Sequence, residues 1–154
     1  MKNPLARIAL AALTLSAATA VSADLKPEQQ IEIRQAGYEF MGWNMGKIKA
    51  NLSGNFDAKQ VQAAANAIAG IANSGMGALF GPGTEQSIGD VKTRVKPELF
   101  KDRETVAKLA GDFITAANGL QKAAAGGDQA AVKKAFGDLG GACKACHDKF
   151  RAEE

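Results

Sequence analysis

Apolar residues recur at three- and four-residue intervals along most of the chain, in four separate runs. Pro27, suited to a first helical turn, is followed by Glu28 and opens a run extending to about Leu52. Ile31, Tyr38, Met41, Met45, Ile48 and Leu52 form its stripe. Asn51 to Asn55 reads as a turn, and Asp57 as the cap of a second helix striped by Val61, Ala65, Ile68 and Ala72. A third helix, capped by Asp102, carries Val106, Leu109, Phe113, Ala116 and Leu120. Gly126-Gly127-Asp128 then breaks and recaps the chain. The last run places Val132, Phe136, Leu139, Cys143, Cys146 and Phe150 at spacings of 4, 3, 4, 3 and 4.

The alternation expected of strands does not occur. Four amphipathic helices with three connections predict an all-α fold, an antiparallel four-helix bundle whose near-heptad stripes favour shallow crossing angles. One connection is long: Asn73 to about Lys101, containing Gly81-Pro82-Gly83 and, near its end, Pro97. It reads as irregular.

The first residues fall outside this pattern. Lys2 and Arg7 precede a small-residue apolar stretch from Ile8 to Val21, and Val21-Ser22-Ala23 suits a signal peptidase. The stretch is too short and too alanine-rich for a membrane span. Residues 1–23 are therefore expected to be a secretory signal, leaving a domain of 131 residues (154 minus 23) over 24–154. That length buries roughly two-thirds of its unfolded surface. Loss of Lys2 and Arg7 lowers the formal charge from +3 to +1, so the basicity of the whole chain does not argue for nucleic acid. Export implies a periplasmic location without a membrane anchor, and permits disulfides.

The chemistry concentrates at Cys143-Lys144-Ala145-Cys146-His147, the Cys-x-x-Cys-His pattern of c-type haem attachment. Each thiol can form a thioether with one haem vinyl group, and the adjacent imidazole can coordinate iron. One haem c per chain is expected, held by Cys143 and Cys146 with His147 as axial ligand. The competing readings are weaker. A redox dithiol belongs at the start of a helix beside a strand. Structural zinc needs four ligands, and the chain has two cysteines and one histidine. A disulfide between positions i and i+3 of one helix is strained.

With its one histidine used, a low-spin haem needs another residue on the distal side. Met41, Met45 and Met76 are candidates, although the first two sit at core spacing. Tyr38 shares their stripe, but a neutral phenol is a weak ligand. Spacing alone leaves the sixth position undecided.

Arg34-Gln35-Ala36-Gly37-Tyr38, Phe80-Gly81-Pro82-Gly83-Thr84-Glu85, and Ala135-Phe136-Gly137-Asp138 leading into Cys143 to Arg151 together resemble the cytochrome c′ family. The resemblance covers essentially the whole region after the signal. It implies a periplasmic, usually homodimeric bundle with a five-coordinate, high-spin haem that binds nitric oxide and carbon monoxide but discriminates against dioxygen. Low-spin relatives place a ligating methionine four residues after the first-helix arginine. Tyr38 occupies that place here, as in members from purple photosynthetic bacteria, whereas many others have leucine. The resemblance also implies that Arg34, Gln35, Thr84 and Glu85 meet the haem propionate edge, and that Arg151 shapes the proximal face beside His147. Read from the residues alone, Arg34 is an exposed helix charge, Gln35 a helix amide, Thr84 and Glu85 polar loop positions, and Arg151 a solvated tail residue.

Two roles then compete: uptake of nitric oxide at an open iron site, for sequestration or tolerance, and electron transfer with a periplasmic redox donor or acceptor. Nothing in the sequence forms the acid–base constellation of an enzyme. Trp43, Phe40 and Ile48 widen the apolar face of the first helix beyond one stripe, which suits a homodimer contact.

Overall fold

The computed structural model describes residues 25–153. The signal sequence expected at residues 1–23 lies outside the described residues. Four helices form the body: α1 over Pro27–Ser53, α2 over Ala58–Ala72, α3 over Arg103–Gly126 and α4 over Gln129–Phe150. Each cap follows from its residues. Asp57 accepts from the amides of Lys59 and Gln60 at 2.9 and 3.1 Å. Asp102 accepts from Thr105 at 3.2 Å and Asp128 from Ala131 at 2.7 Å. Each such cap satisfies amides that have no partner inside the helix, worth about 1 kcal/mol. Gly127, at φ 71°, ends α3 in a left-handed conformation that only glycine adopts without strain.

Helix α1 runs further than the turn expected at Asn51 to Asn55. Asn51 is buried inside its last turn, and its side chain bonds back to the Lys47 carbonyl, across to Gln60, and to the Asp57 amide. Those bonds tie α1 to α2 from within the helix, so the chain turns only after Ser53.

The core lies where α2 and α3 meet the flanking helices: Met41, Ile48, Val61, Ile68, Leu120, Val132 and Leu139, with alanines at 64, 65, 72, 117 and 124 between them. Small residues let these helices approach closely, and each large side chain contributes roughly 1.5–3 kcal/mol by leaving water. Ile48 is wholly buried there and so is not part of an outward face. The exposed apolar residues of α1 are instead Ile33, Tyr38, Phe40 and Trp43.

The pairs α1–α2, α2–α3 and α3–α4 pack along their lengths, whereas α1 and α4 scarcely meet. A cleft therefore opens between the first and last helices. The connection from Asn73 to Lys101 is more ordered than its composition suggests. It holds two 3-10 turns, Met76–Leu79 and Pro97–Phe100, and an antiparallel bridge between Val95 and Arg151. Pro82-Gly83 forms a tight turn within it, with Gly83 at φ 85° and the Thr84 amide bonded to the Gly81 carbonyl.

Candidate functional site

Cys143 and Cys146 lie one turn apart on α4, half-buried and unpaired by a disulfide. Their spacing continues the inward stripe, and Cys143 packs against the core beside Phe136. Burial raises both thiol pKa values, and for Cys143 the neighbouring sulfur adds to the effect. A redox dithiol needs the opposite shift, and the C-terminal half of a helix cannot supply it. Protonated thiols at such a place suit covalent attachment.

His147 follows directly, in the last turn of α4, and reaches the surface. It lines a shallow open pocket of about 210 Å³ with Arg94, Lys96, Asp148 and Arg151. Partial desolvation of the ring pushes its pKa down, as do the Arg151 and Arg94 cations, against the opposing effect of Asp148. The imidazole is therefore neutral at pH 7, the form that can coordinate a metal.

On the other side of the cleft, α1 presents Tyr38. Desolvation is the main cause of its raised pKa, and the phenol lies close enough to both cysteines for their thiolate forms to raise it further. It stays a neutral phenol at any ordinary pH. Met41 belongs to the core cluster, Met45 packs against it, and Met76 lies over Gly37, its methyl 2.9 Å from where a Cβ would stand. Tyr38 is thus within electrostatic reach of both thiols, while Met41 and Met45 belong to the packed core.

Arg34, one turn before Tyr38, is not an exposed helix charge: it is 2 % exposed. One terminal nitrogen donates to the Leu79 carbonyl and the Thr84 hydroxyl at 3.1 and 2.9 Å. The other donates to the Thr84 carbonyl and the Thr93 hydroxyl at 3.0 and 2.8 Å. The guanidinium also stacks over Phe80, 4.5 Å from the ring centroid. Burial lowers its pKa while Tyr38 and Glu85 raise it, and a guanidinium so placed remains a cation. Its four acceptors are neutral oxygens. Thr84, fully buried, passes the network on by donating to the Gly81 carbonyl at 2.8 Å. Gln35 donates to the Lys92 carbonyl at 2.6 Å, and half-buried Glu85 stands at the rim. The four polar positions are thus gathered where α1 meets the long connection.

Sequence reasoning missed Thr93, Arg94 and Lys96. Arg94 donates from Nε and a terminal nitrogen to the Ala152 carbonyl at 3.0 and 2.7 Å. No local pattern announces a partner 58 residues away.

The donor set fits a covalent haem. Two thiols at i and i+3 lie half-buried on α4, a neutral imidazole follows them, and a buried cation with neutral acceptors stands where α1 meets the long connection.

Comparison with known proteins agrees. The family model described as Cytochrome C′ matches residues 29–151. The chain is 62% identical to the cytochrome c′ of Allochromatium vinosum, over 99% of this chain and 100% of that protein. The crystal structure of cytochrome c′ from Thermochromatium tepidum superposes with a TM-score of 0.83 at 67% identity, covering 84% of this chain and 99% of that one. A second structure, of a cytochrome c′ with ligand-controlled dimer dissociation, gives the same TM-score and identity over 84% and 98%. Variants of the Alcaligenes xylosoxidans protein, one with nitric oxide and one with carbon monoxide bound, superpose with TM-scores of 0.75 and 0.74, at 29% and 30% identity.

Proposed function

Because the chain belongs to the cytochrome c′ family and so carries covalent haem c, we propose that it is a periplasmic gas-binding haem protein, not an enzyme, that takes up nitric oxide and carbon monoxide. Cys143 and Cys146 would hold the haem through two thioethers, and the His147 imidazole would be the chain's ligand to its iron. When bound, the haem supplies an iron with one coordination position left for a diatomic gas. Every other element of the reading is a task for the chain's own side chains.

The observation that supports it is Tyr38 on α1, its phenol within electrostatic reach of both cysteines of α4. A neutral phenol competes poorly for iron, so Tyr38 fills space without closing the site. Its bulk would crowd the space beside the iron, and its hydroxyl would be a donor within reach of a bound gas. Nitric oxide needs little such help, whereas polar bound dioxygen depends on it. Arg34, buried where α1 meets the long connection with Gln35, Thr84 and Glu85 nearby, would answer the negative charge of the haem's acidic edge. Arg151, one turn beyond His147 and lining the same pocket, would shape the proximal side. The role that follows is nitric oxide sequestration or tolerance.

The exposed rings of Phe40 and Trp43, 5.4 Å apart on α1, with Ile33 nearby, form the face for a second copy of the chain. Ligand-controlled dissociation in the solved relative supports placing the dimer contact on the helix that also carries Tyr38.

The test is the absorption spectrum of the reduced protein with and without carbon monoxide. A high-spin spectrum that carbon monoxide converts supports the proposal. A sharp low-spin band unmoved by the gas refutes it and favours an electron carrier.

A further inference from the structure

The last turn of a helix normally frays. His147 stands in the last turn of α4, three residues before its end at Phe150. Its own carbonyl accepts the final helical bond, from the Arg151 amide at 3.0 Å. Anything that lets Arg151 move therefore loosens the turn that aims the imidazole.

The structure prevents that movement from outside the helix. The segment 93–96 lies antiparallel to residues 150–152. The Lys96 amide donates to the Phe150 carbonyl at 2.9 Å and the Ala152 amide to the Arg94 carbonyl at 2.8 Å. Arg94 then closes its side chain over the same residue, with both nitrogens on the Ala152 carbonyl at 3.0 and 2.7 Å. Three hydrogen bonds thus join Arg94 to Ala152 on one side of the Val95–Arg151 bridge, and the Lys96–Phe150 bond flanks it on the other. The clasp is anchored in turn: Thr93, its neighbour, accepts from buried Arg34 at 2.8 Å. Arg94 also stands close enough to His147 for its charge to act on the ring, and both line one pocket.

We infer that Arg94 is a positioning residue for the proximal side: it clasps Ala152, holds Arg151 in place, and so fixes the orientation of the His147 imidazole toward the haem. The inference rests on His147 as axial ligand. A paired fork is suited to this task, because two donors on one carbonyl fix direction as well as distance.

The experiment compares the parent holoprotein with Arg94→Ala and Arg94→Lys. The iron–histidine stretching band of the reduced protein is read by resonance Raman. Backbone hydrogen exchange of the peptide covering residues 148–154 is read by mass spectrometry. In Arg94→Ala the band broadens and shifts, and exchange in that peptide accelerates at least about tenfold, as expected when charge-assisted bonds are lost. Peptides from α2 and α3 keep their exchange rates. Arg94→Lys, with one donor point instead of two, restores part of both signals and also serves if the alanine variant does not fold. An unchanged band in variants that retain haem overturns the positioning role alone. A parent protein with no iron–histidine band overturns His147 as ligand, and with it this inference and the proposed function.

Discussion

Replacing Arg34 by methionine keeps most of the side-chain volume and removes every donor. Leu79 and Thr84 then lose the donor to their carbonyls, and the hydroxyls of Thr84 and Thr93 each lose one bond. Hydrogen bonds to a charged group contribute about 1.5–3 kcal/mol each, so the gross loss is roughly 6–12 kcal/mol. Relief from burying a guanidinium returns several kcal/mol. The net expected cost is about 3 kcal/mol, which for a domain of this size lowers Tm by about 10 °C. Thermal and urea unfolding of the ferric holoprotein, followed by far-UV circular dichroism, measures it. Gln35→Ala is the control: its bond goes to an exposed carbonyl, so its cost stays below about 1 kcal/mol. If Arg34→Met keeps its haem and unfolds within about 1 kcal/mol of the parent, the network is not the strut that joins α1 to the long connection.

Three further outcomes follow from the geometry. Tyr38→Met puts a thioether where the phenol faces the cysteines, and the ferrous spectrum should move toward six-coordinate low spin; an unchanged high-spin spectrum would place Tyr38 away from the iron. A hydrogen bond from Lys149 at 2.8 Å, with those from Thr105, holds the Asp102 carboxyl below its usual pKa of 3.8. Its stabilising effect is therefore present above that unfolded value and disappears as pH falls through the lower folded one. Asp102→Asn, which still caps α3, should be less stable than the parent near neutral pH and equal to it in strong acid; a difference in urea midpoint that persists in acid contradicts this. Gly83→Ala forces a side chain into φ 85° with Pro27 Cγ 3.1 Å from the new Cβ, at a cost of about 1–2 kcal/mol by denaturant titration; no loss would show that the turn yields.

The parts legible in the sequence are those written in neighbouring residues. Asp57, Asp102 and Asp128 announced three helix starts because a cap acts within three residues. Cys143, Cys146 and His147 announced haem because the attachment chemistry itself fixes their spacing. The stripe containing Tyr38 was visible too, but periodicity does not distinguish a core position from one facing a cofactor, and Tyr38 proved 43% exposed in the bare protein chain. Asn51 read as a turn residue because asparagine usually bonds locally. Its burial depends on Gln60 and Asp57 arriving from the next helix.

Arg34 and Arg94 show where such reading stops. A charged residue is normally solvated, and Arg34 can be buried only because acceptors 45 to 59 residues away close around it. Arg94 lay in a segment that read as irregular, and its partner is the carbonyl of Ala152, an atom no side-chain pattern encodes. The resemblance of the sequence motifs singled out Arg34 and Thr84 but not Leu79 or Thr93, which also hold the guanidinium, nor the clasp at the end of α4.

The most direct test of the account is the carbon monoxide response of the reduced holoprotein beside that of Tyr38→Met. The parent spectrum should be high-spin and change on adding the gas, and the variant spectrum should be shifted to low spin with a weakened response. A parent already low-spin and indifferent to carbon monoxide would contradict it, because the iron would then carry a second ligand from the protein.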